Sequence, residues 1–451
     1  MDDSFTYQSF RMADDGRTVS FDYEITRNGE QYQLTEELIF PVELKDTSAQ
    51  QASLRALHLI LGVSYFKIFL APVIKHPYAM DATEAEFWNN IWRHGFGEFL
   101  YVNKLSADKL AQFRAQDGEK FEVSEDAAIG KGALLGIGGG KDSIVAGELL
   151  KALDVPLEGF VMATGEQRGQ AQAVADTMQV PLHVVNRIID KQLLDLQEQS
   201  GAYKGHIPVS VIFALVGTAL AIACDKSYVV VANEASASIP RVTWQEASVN
   251  HQWSKSFVSE QALQQFIHEN ATPSVTYFSA IRQLTSVGVA KLFANLNQYF
   301  EVFTSDNFVF RIDPARRPSA RWSLESPKSL SSFMLLSPWL SEKDMLRTFG
   351  MNFLDEASLE QLFLELTGLE GHPPLDCVGT VEELVLSLNL AVQQGKFLDS
   401  CLVKLGRDRG LIAEKDWNPE LTTMLALQPD QALPTELETR IAKYFKEKLV
   451  A

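Results

Sequence analysis

Cysteine is scarce in this chain, with three in 451 residues, and Cys224, Cys377 and Cys401 stand far apart. That spacing excludes a disulfide framework and a cysteine-rich metal knot, and it makes the cytoplasm the expected location. Long apolar runs are missing too. No stretch approaches the roughly 20 residues needed to cross a bilayer, so no membrane partner is expected. The acidic start, Met1-Asp2-Asp3, lacks the pattern of a signal peptide. Basic charge is in deficit: a formal net charge of −18 argues against a nucleic-acid partner, because phosphate contacts need Lys and Arg. Repeats, low-complexity tracts and heptads are absent as well. What remains is a globular composition, 46% hydrophobic and 22% charged, with length enough for two or three domains.

The chain is organised around Ala133-Leu134-Leu135-Gly136-Ile137-Gly138-Gly139-Gly140-Lys141-Asp142-Ser143. An apolar run ends in glycines, and a helically spaced segment follows from Ile144, which reads as strand, turn and helix N-terminus. Such a turn aims unpaired N–H groups and the positive end of a helix dipole at one spot, suited to a phosphate. The Walker pattern fails, since the glycines are consecutive and Asp142 separates Lys141 from Ser143; the dinucleotide spacing fails as well. The hexapeptide resembles the PP-loop of the ATP pyrophosphatase superfamily, usually Ser-Gly-Gly-x-Asp-Ser, with Gly138 in place of the leading Ser. That resemblance implies cleavage of ATP between its α- and β-phosphates, with AMP transferred to a substrate oxygen.

Around this loop the pattern predicts an α/β fold, a PP-loop-like doubly wound parallel sheet, flanked by an N-terminal α+β domain and a helical C-terminal region. The expected segments are 1–125, 126–320 and 321–451. Residues 6–42 alternate as an antiparallel meander, followed by helices over 49–69 and 84–100. Strands at 133–137, 158–163, 182–185 and 227–232 interleave with helices at 142–152, 167–178, 190–200 and 208–223. Further helices are expected at 331–340, 342–349, 357–368, 381–393, 396–405 and 436–449. Ligands of open sheets sit beyond the strand C-termini, which singles out 138–143, 164–168, 186–187 and 233–241.

Other segments carry chemistry-bearing side chains. His206, in Gly205-His206-Ile207-Pro208-Val209, is a candidate phosphate donor or proton shuttle, with a capping or packed histidine as the competing reading. Pro208 falls in the first turn of the helix that follows. Asn233-Glu234 leave an apolar strand as a ligand loop would, although a plain turn looks the same. Asn250-His251-Gln252-Trp253-Ser254-Lys255 offers donors for carboxylate and phosphate, or an ordinary surface loop. His372 and Cys377 place an imidazole and a thiol near one another, yet lone cysteines commonly serve as packing.

Leu57-His58-Leu59-Ile60, Gly62-Val63-Ser64-Tyr65, His94-Gly95-Phe96-Gly97-Glu98-Phe99, the glycine loop, Gly205 to Val209, Asn233-Glu234, Val249 to Lys255 and Cys377-Val378-Gly379 occur in one order. In that order the chain resembles the UDP-N-acetylmuramoyl-L-alanyl-L-glutamate epimerase family, of the MurL type, from about residue 50 to 385. The resemblance implies that ATP and Mg²⁺ are used to invert the terminal L-Glu of a small-molecule nucleotide-sugar peptide. It implies that Gly138, Gly139, Gly140 and Ser143 hold pyrophosphate, that Lys141 assists catalysis, and that Asp142 lies near the phosphates and the metal. His206, Asn233 and Glu234 would face the nucleotide, and Asn250, Trp253 and Lys255 the substrate. His251 and Cys377 would transfer protons.

One departure stands out. In the family pattern, cysteines that resemble a four-thiolate zinc site fall in segments that here read Thr304-Ser305-Asp306-Asn307 and Trp322-Ser323-Leu324-Glu325-Ser326-Pro327-Lys328-Ser329. All four cysteine positions are lost together, and Ser is a poor zinc ligand, so no zinc is expected. Two rivals stay open: another PP-loop ligase or synthetase acting on a carboxylate, and a nucleotide-binding homologue without turnover.

Overall fold

The computed structural model describes residues 3–118, 123, 132–164, 169–310 and 318–450. Three strands, β1 (Ser4–Met12), β2 (Thr18–Arg27) and β3 (Glu30–Ile39), form the antiparallel meander, with a register shift between Tyr7 and Phe10. β4 (Val73–Lys75) pairs parallel to β1 at the sheet's edge. The alternation seen in the sequence has a physical end: Phe5, Tyr7, Phe21, Tyr23 and Leu34 turn to one face and are buried against the helix Ser48–Leu61. Tyr7 and Tyr23 reach across it with their hydroxyls, donating to Leu59 O at 2.9 Å and His58 O at 3.0 Å.

The parallel strands are β5 (Ala133–Gly136), β6 (Leu157–Ala163), β7 (Leu182–Ile188), β8 (Tyr228–Val231) and, after a short hairpin of β9 (Val242–Trp244) and β10 (Ala247–Val249), β11 (Thr276–Ser279). Their order is β11-β8-β5-β6-β7, and β3 continues it antiparallel to β7, so that meander and parallel strands form one nine-stranded sheet. Arg187 on β7 bonds the Glu36 carboxylate at 2.7 and 3.2 Å and Ser64 Oγ at 2.8 Å, a buried clamp across that seam. Sequence periodicity carries no sign of this pairing.

The apolar β5 and β8 are covered on both faces. Leu134 and Val229 join the core that holds the helices Ser48–Leu61 and Val209–Ala223. Leu135 and Val230 join the core that holds Lys141–Ala152, Ser286–Phe293 and the C-terminal helices. A strand buried on both sides cannot alternate apolar with polar, which is why these runs are apolar throughout.

Most boundaries fall within a few residues of the pattern. The helix expected at 331–340 runs instead over Pro327–Leu336, because Pro327 occupies a first turn where its missing N–H costs nothing. The one expected at 396–405 becomes Cys401–Asp408 behind Ser400, and the helix after Pro208 begins at Val209, with Pro208 as its cap. The expected loop 164–168 lies, but for Thr164, outside the described residues. No helix among the described residues is long and apolar enough to cross a membrane.

Candidate active site

From β5 the chain proceeds to β6 and β7 on one side and returns to β8 and β11 on the other. The gap between the C-termini of β5 and β8 is therefore a topological switch point, where sheets of this kind bind ligands. Gly138-Gly139-Gly140 lies beyond β5 and Asn233-Glu234 beyond β8.

In the glycine turn, Gly139 has φ of +91°, a region L side chains avoid, and its carbonyl accepts from Thr304 N at 3.0 Å. Gly140 caps the helix Lys141–Ala152, and Ser143 Oγ donates to its carbonyl at 3.1 Å. Above Gly138 there is open space: a Cβ there would meet nothing within 4 Å. Lys141 is buried and donates to Asp142 Oδ1 at 2.6 Å. Burial opposes its charge, but Asp142, Glu234 and Glu383 outweigh that and hold the ammonium protonated well above its usual range.

Glu234 accepts from Ser286 Oγ at 2.5 Å, while its Oε2 is buried with no hydrogen-bond partner among the described residues. Burial, against the pull of Lys141, pushes this carboxyl up to about 8, with Asp142 and Glu383 adding to the rise. Glu383 accepts from Ser286 N at 2.7 Å, Ser236 Oγ at 2.5 Å and Thr380 N at 2.7 Å. Asn233 is held through its backbone, its N–H donating to Ser279 Oγ at 2.9 Å and its carbonyl accepting from that hydroxyl at 2.7 Å.

The second half of the site assembles from four distant segments. Glu98, on the helix Gly97–Val102, accepts from His251 Nδ1 and lies 3.9 Å from His206 Nδ1; the two imidazole rings are 4.5 Å apart. A ring nitrogen of His251 lies within 4.8 Å of Cys377 Sγ, and Lys255 Nζ approaches that sulfur at 3.4 Å. Burial alone would raise the Cys377 thiol, but Lys255, Lys328 and the neighbouring His251 together bring it down to about 6. Burial would likewise discharge His251, yet the Cys377 and Glu98 contacts lift it to about 9. Around neutral pH the two form a thiolate–imidazolium pair, the state of an activated cysteine. His206 goes the other way: burial, and then the charges of His251, Lys255 and Lys67, depress it to about 3, so it stays neutral.

The two halves share neighbours. Lys328 donates to Asn307 Oδ1 at 2.9 Å, lies 3.7 Å from Asp376, and stands in the field of both Cys377 and Asp142. Gly379, with φ of +75°, lets the Cys377 loop close on Glu383, whose Oε2 would be 3.2 Å from any Cβ there. Arg282 ties the floor together, donating to Glu260 at 2.6 and 2.9 Å, to Glu234 O at 2.8 Å and to Lys255 O at 2.6 Å. For a hard cation the oxygen donors beside the loop are Asp142 and the unpartnered Oε2 of Glu234. The ligand atoms of Glu98, His206 and His251, and of His251, Asp376 and Cys377, also cluster within 4.8 Å, but the described hydrogen bonds and charges account for both groups.

The structure thus brings Lys141, Asp142 and Glu234 together, and His206, His251, Lys255 and Cys377 together. Two side chains face elsewhere. Asn250 fastens its own turn, bonding Ala237 O and Gln252 N at 2.8 Å each. Trp253 stacks on His94 at 5.0 Å and lines a separate cavity of about 1070 Å³, edged by Asp81, Glu84, Glu86 and Glu269.

Residues 1–280 match the MurL N-terminal domain and residues 302–418 the MurL C-terminal domain. The chain belongs to the MurL family. Three relatives carry the name UDP-N-acetyl-alpha-D-muramoyl-L-alanyl-L-glutamate epimerase. The one from Salinispora tropica is 31% identical over 426 residues, 93% of this chain and 91% of the relative. One from a Micromonospora species is 30% identical over 433 residues, 93% of each, and one from Xanthomonas oryzae pv. oryzae is 30% identical over 402 residues, 89% and 88%.

Against the family's cysteine pattern, the four altered positions still meet. Asp306 is fully buried and accepts from Ser323 N at 2.8 Å, Ser323 Oγ at 2.7 Å, Ser329 Oγ at 3.4 Å and Phe308 N at 2.7 Å. Ser326 Oγ is buried beside them without a partner among the described residues. A hydrogen-bonded carboxylate gathers the segments that thiolates around a metal would gather. The segment it anchors braces both halves of the site, through Thr304 on the glycine turn and Asn307 Nδ2 on Asp376 at 3.2 Å.

Residue-by-residue reading of the MurL-like segments missed Glu98, Lys328, Asp376, Glu383 and Arg282. Glu98 and Lys328 lay inside segments matching the family. Glu383 reads as the third residue of a capping box after Thr380, and it is one. Its bonds to Ser236 and Ser286 had no local signal.

Proposed function

We propose that this chain inverts the terminal L-glutamate of UDP-MurNAc-L-Ala-L-Glu to the D form, using ATP to activate the carboxylate beside the α-carbon. The observation that carries the proposal is Lys328, an ammonium in the field of both the phosphate-type turn at Asp142 and the thiolate of Cys377. The names borne by relatives at 30–31% identity supply the acyl substrate.

In this reading Gly138, Gly139, Gly140 and Ser143 act as a PP-loop, holding the ATP phosphates at the N-terminus of the helix with Lys141 opposing their charge. Mg²⁺ would be held by Asp142 and Glu234, and when bound would offset phosphate charge. Attack of the substrate carboxylate on the α-phosphorus releases diphosphate and leaves an acyl-adenylate. The reason for that step is electrostatic: removing the α-proton beside a free carboxylate would place a second negative charge on the same few atoms, and adenylation neutralises the first. Cys377, already a thiolate, takes the α-proton. Lys255 and Lys328 oppose the charge that develops on the carbonyl oxygen, usually the largest catalytic contribution. His251, already an imidazolium, is the acid that returns a proton, with Glu98 fixing its ring. Because Cys377 Sγ and a ring nitrogen of His251 lie within 4.8 Å of one another in the free protein, the α-carbon enters between them. Water then releases AMP.

The test is ATP, Mg²⁺ and the purified protein in D₂O, with and without UDP-MurNAc-L-Ala-L-Glu. Substrate-dependent AMP together with deuterium at the glutamate α-carbon is the expected result. ADP in place of AMP would overturn the PP-loop chemistry. AMP without deuterium would leave an adenylating enzyme of another kind.

A further inference from the structure

We infer that Arg241 recognises the second carboxylate of the acyl substrate and so confines the site to a terminal glutamate over a terminal glutamine. The inference rests on the proposed function. A terminal glutamate carries two carboxylates. Adenylation consumes the charge of the one beside the α-carbon; the side-chain carboxylate, three bonds further on, remains an anion and needs a cation to leave water.

Among the described residues, the cations beside Cys377 and the glycine turn are taken, with Arg241 the exception. Lys141 is paired with Asp142 at 2.6 Å, Lys328 bonds Asn307 and lies 3.7 Å from Asp376, Lys255 sits 3.4 Å from Cys377 Sγ, and Arg282 is locked to Glu260 at 2.6 Å. Arg241 is half-buried, and its Nη2 donates to Gly379 O, two residues beyond the reactive thiol. Among the described residues no carboxylate forms an ion pair with it. Cys377, Glu383, Asp376 and Glu234 are the acidic groups whose field reaches it. Burial pulls its proton affinity down, yet a guanidinium stays charged, so a cation is held at the wall of the site with most of its donor fork uncommitted among the described residues.

Its position follows from the hairpin. Arg241 N donates to Val249 O at 3.1 Å where the chain enters β9, and His251 stands two residues past the matching end of β10. The two feet of one hairpin therefore present a guanidinium and the imidazolium of the proton-transfer pair. A substrate whose α-carbon lies between Cys377 and His251 extends its side chain along this wall. A planar fork matches a carboxylate with two parallel hydrogen bonds, and the amide of glutamine cannot return that match.

The experiment compares kcat/KM for UDP-MurNAc-L-Ala-L-Glu and UDP-MurNAc-L-Ala-L-Gln in wild type, Arg241→Gln and Arg241→Lys, with thermal melts as the check on folding. We expect Arg241→Gln to lose on the order of 100-fold on the glutamate substrate, chiefly through KM, while the glutamine substrate changes little, so the preference collapses. Arg241→Lys, which keeps the charge without the fork, should retain part of the preference. An equal loss on both substrates, or an unchanged preference, would overturn the assignment of Arg241 alone. Wild-type protein that turns over neither substrate would overturn the proposed function, and the inference with it.

Discussion

Replacing Lys255 with methionine removes the ammonium 3.4 Å from Cys377 Sγ and should return the thiol to ordinary acidity. The wild-type thiol is brought from 9.0 to about 6, a thousandfold in proton affinity. At about 1.36 kcal/mol per tenfold that is about 4 kcal/mol. A unit charge at this separation contributes about 5 kcal/mol to a thiolate at an effective dielectric of about 20. One ammonium is therefore worth as much as the whole displacement, with burial opposing it and Lys328 and His251 assisting. Lys255→Met is expected to move the Cys377 midpoint above about pH 8. The assay is iodoacetamide labelling from pH 5 to 10 with peptide mass mapping. The midpoint is the quantity to read, because a higher-pKa thiolate is also the better nucleophile and masks part of the change in rate at pH 7. The other cysteines do not interfere: burial and then Glu158 push Cys224 up to about 11, and burial and Asp355 raise Cys401. A wild-type midpoint near 9, or a midpoint unmoved by Lys255→Met, would refute the reasoning.

The same pair shapes stability. The folded thiol is the stronger acid, so its share is complete above pH 9 and is lost as pH falls through about 6; His251 is lifted, so its share is complete below pH 6.5 and is lost as pH rises through about 9. Between about pH 6.5 and 9 the two changes oppose one another, so melting temperatures should hold a plateau there, and Cys377→Ser, which leaves the histidine share alone, should turn it into a fall as pH rises. Arg282→Met should cost about 3–5 kcal/mol by leaving Glu260 buried and unpaired, read as a lower denaturant midpoint at unchanged slope, and Glu260→Leu in the same chain should recover much of it. Gly138→Ser should leave stability unchanged, its Cβ meeting nothing within 4 Å, and should tighten ATP binding by adding a donor; Gly139→Ala should cost about 1–2 kcal/mol for its left-handed backbone. Replacing Asp306, Ser323, Ser326 and Ser329 together with cysteine should create a site for one Zn²⁺, counted by a colorimetric chelator, and uptake by the unaltered chain would refute the carboxylate account.

Much of the architecture was legible in the linear pattern. The glycine turn, the apolar β5 and β8, the meander and the C-terminal helices rest on periodicity, caps and turn residues, which act over a few positions and leave a local mark. So do the likenesses at His206, His251, Lys255 and Cys377, each a short string of unusual residue types. What only the tertiary structure decided is which of these strings meet. Glu98, His251 and Cys377 come from a helix, a hairpin foot and a loop, and their pKa values exist only once burial and neighbouring charge act together. The join of β3 to β7 depends on Arg187 finding Glu36 across 151 positions, and nothing in either strand's alternation names its neighbour. Asp306 reads as a lost ligand until Ser323 and Ser329 are seen to bond it. Local sequence sets what a segment can be, because helices and strands form from near neighbours. Which anion neutralises which cation is decided by packing, since the chain must bury each charge beside a partner that distance along the sequence does not predict.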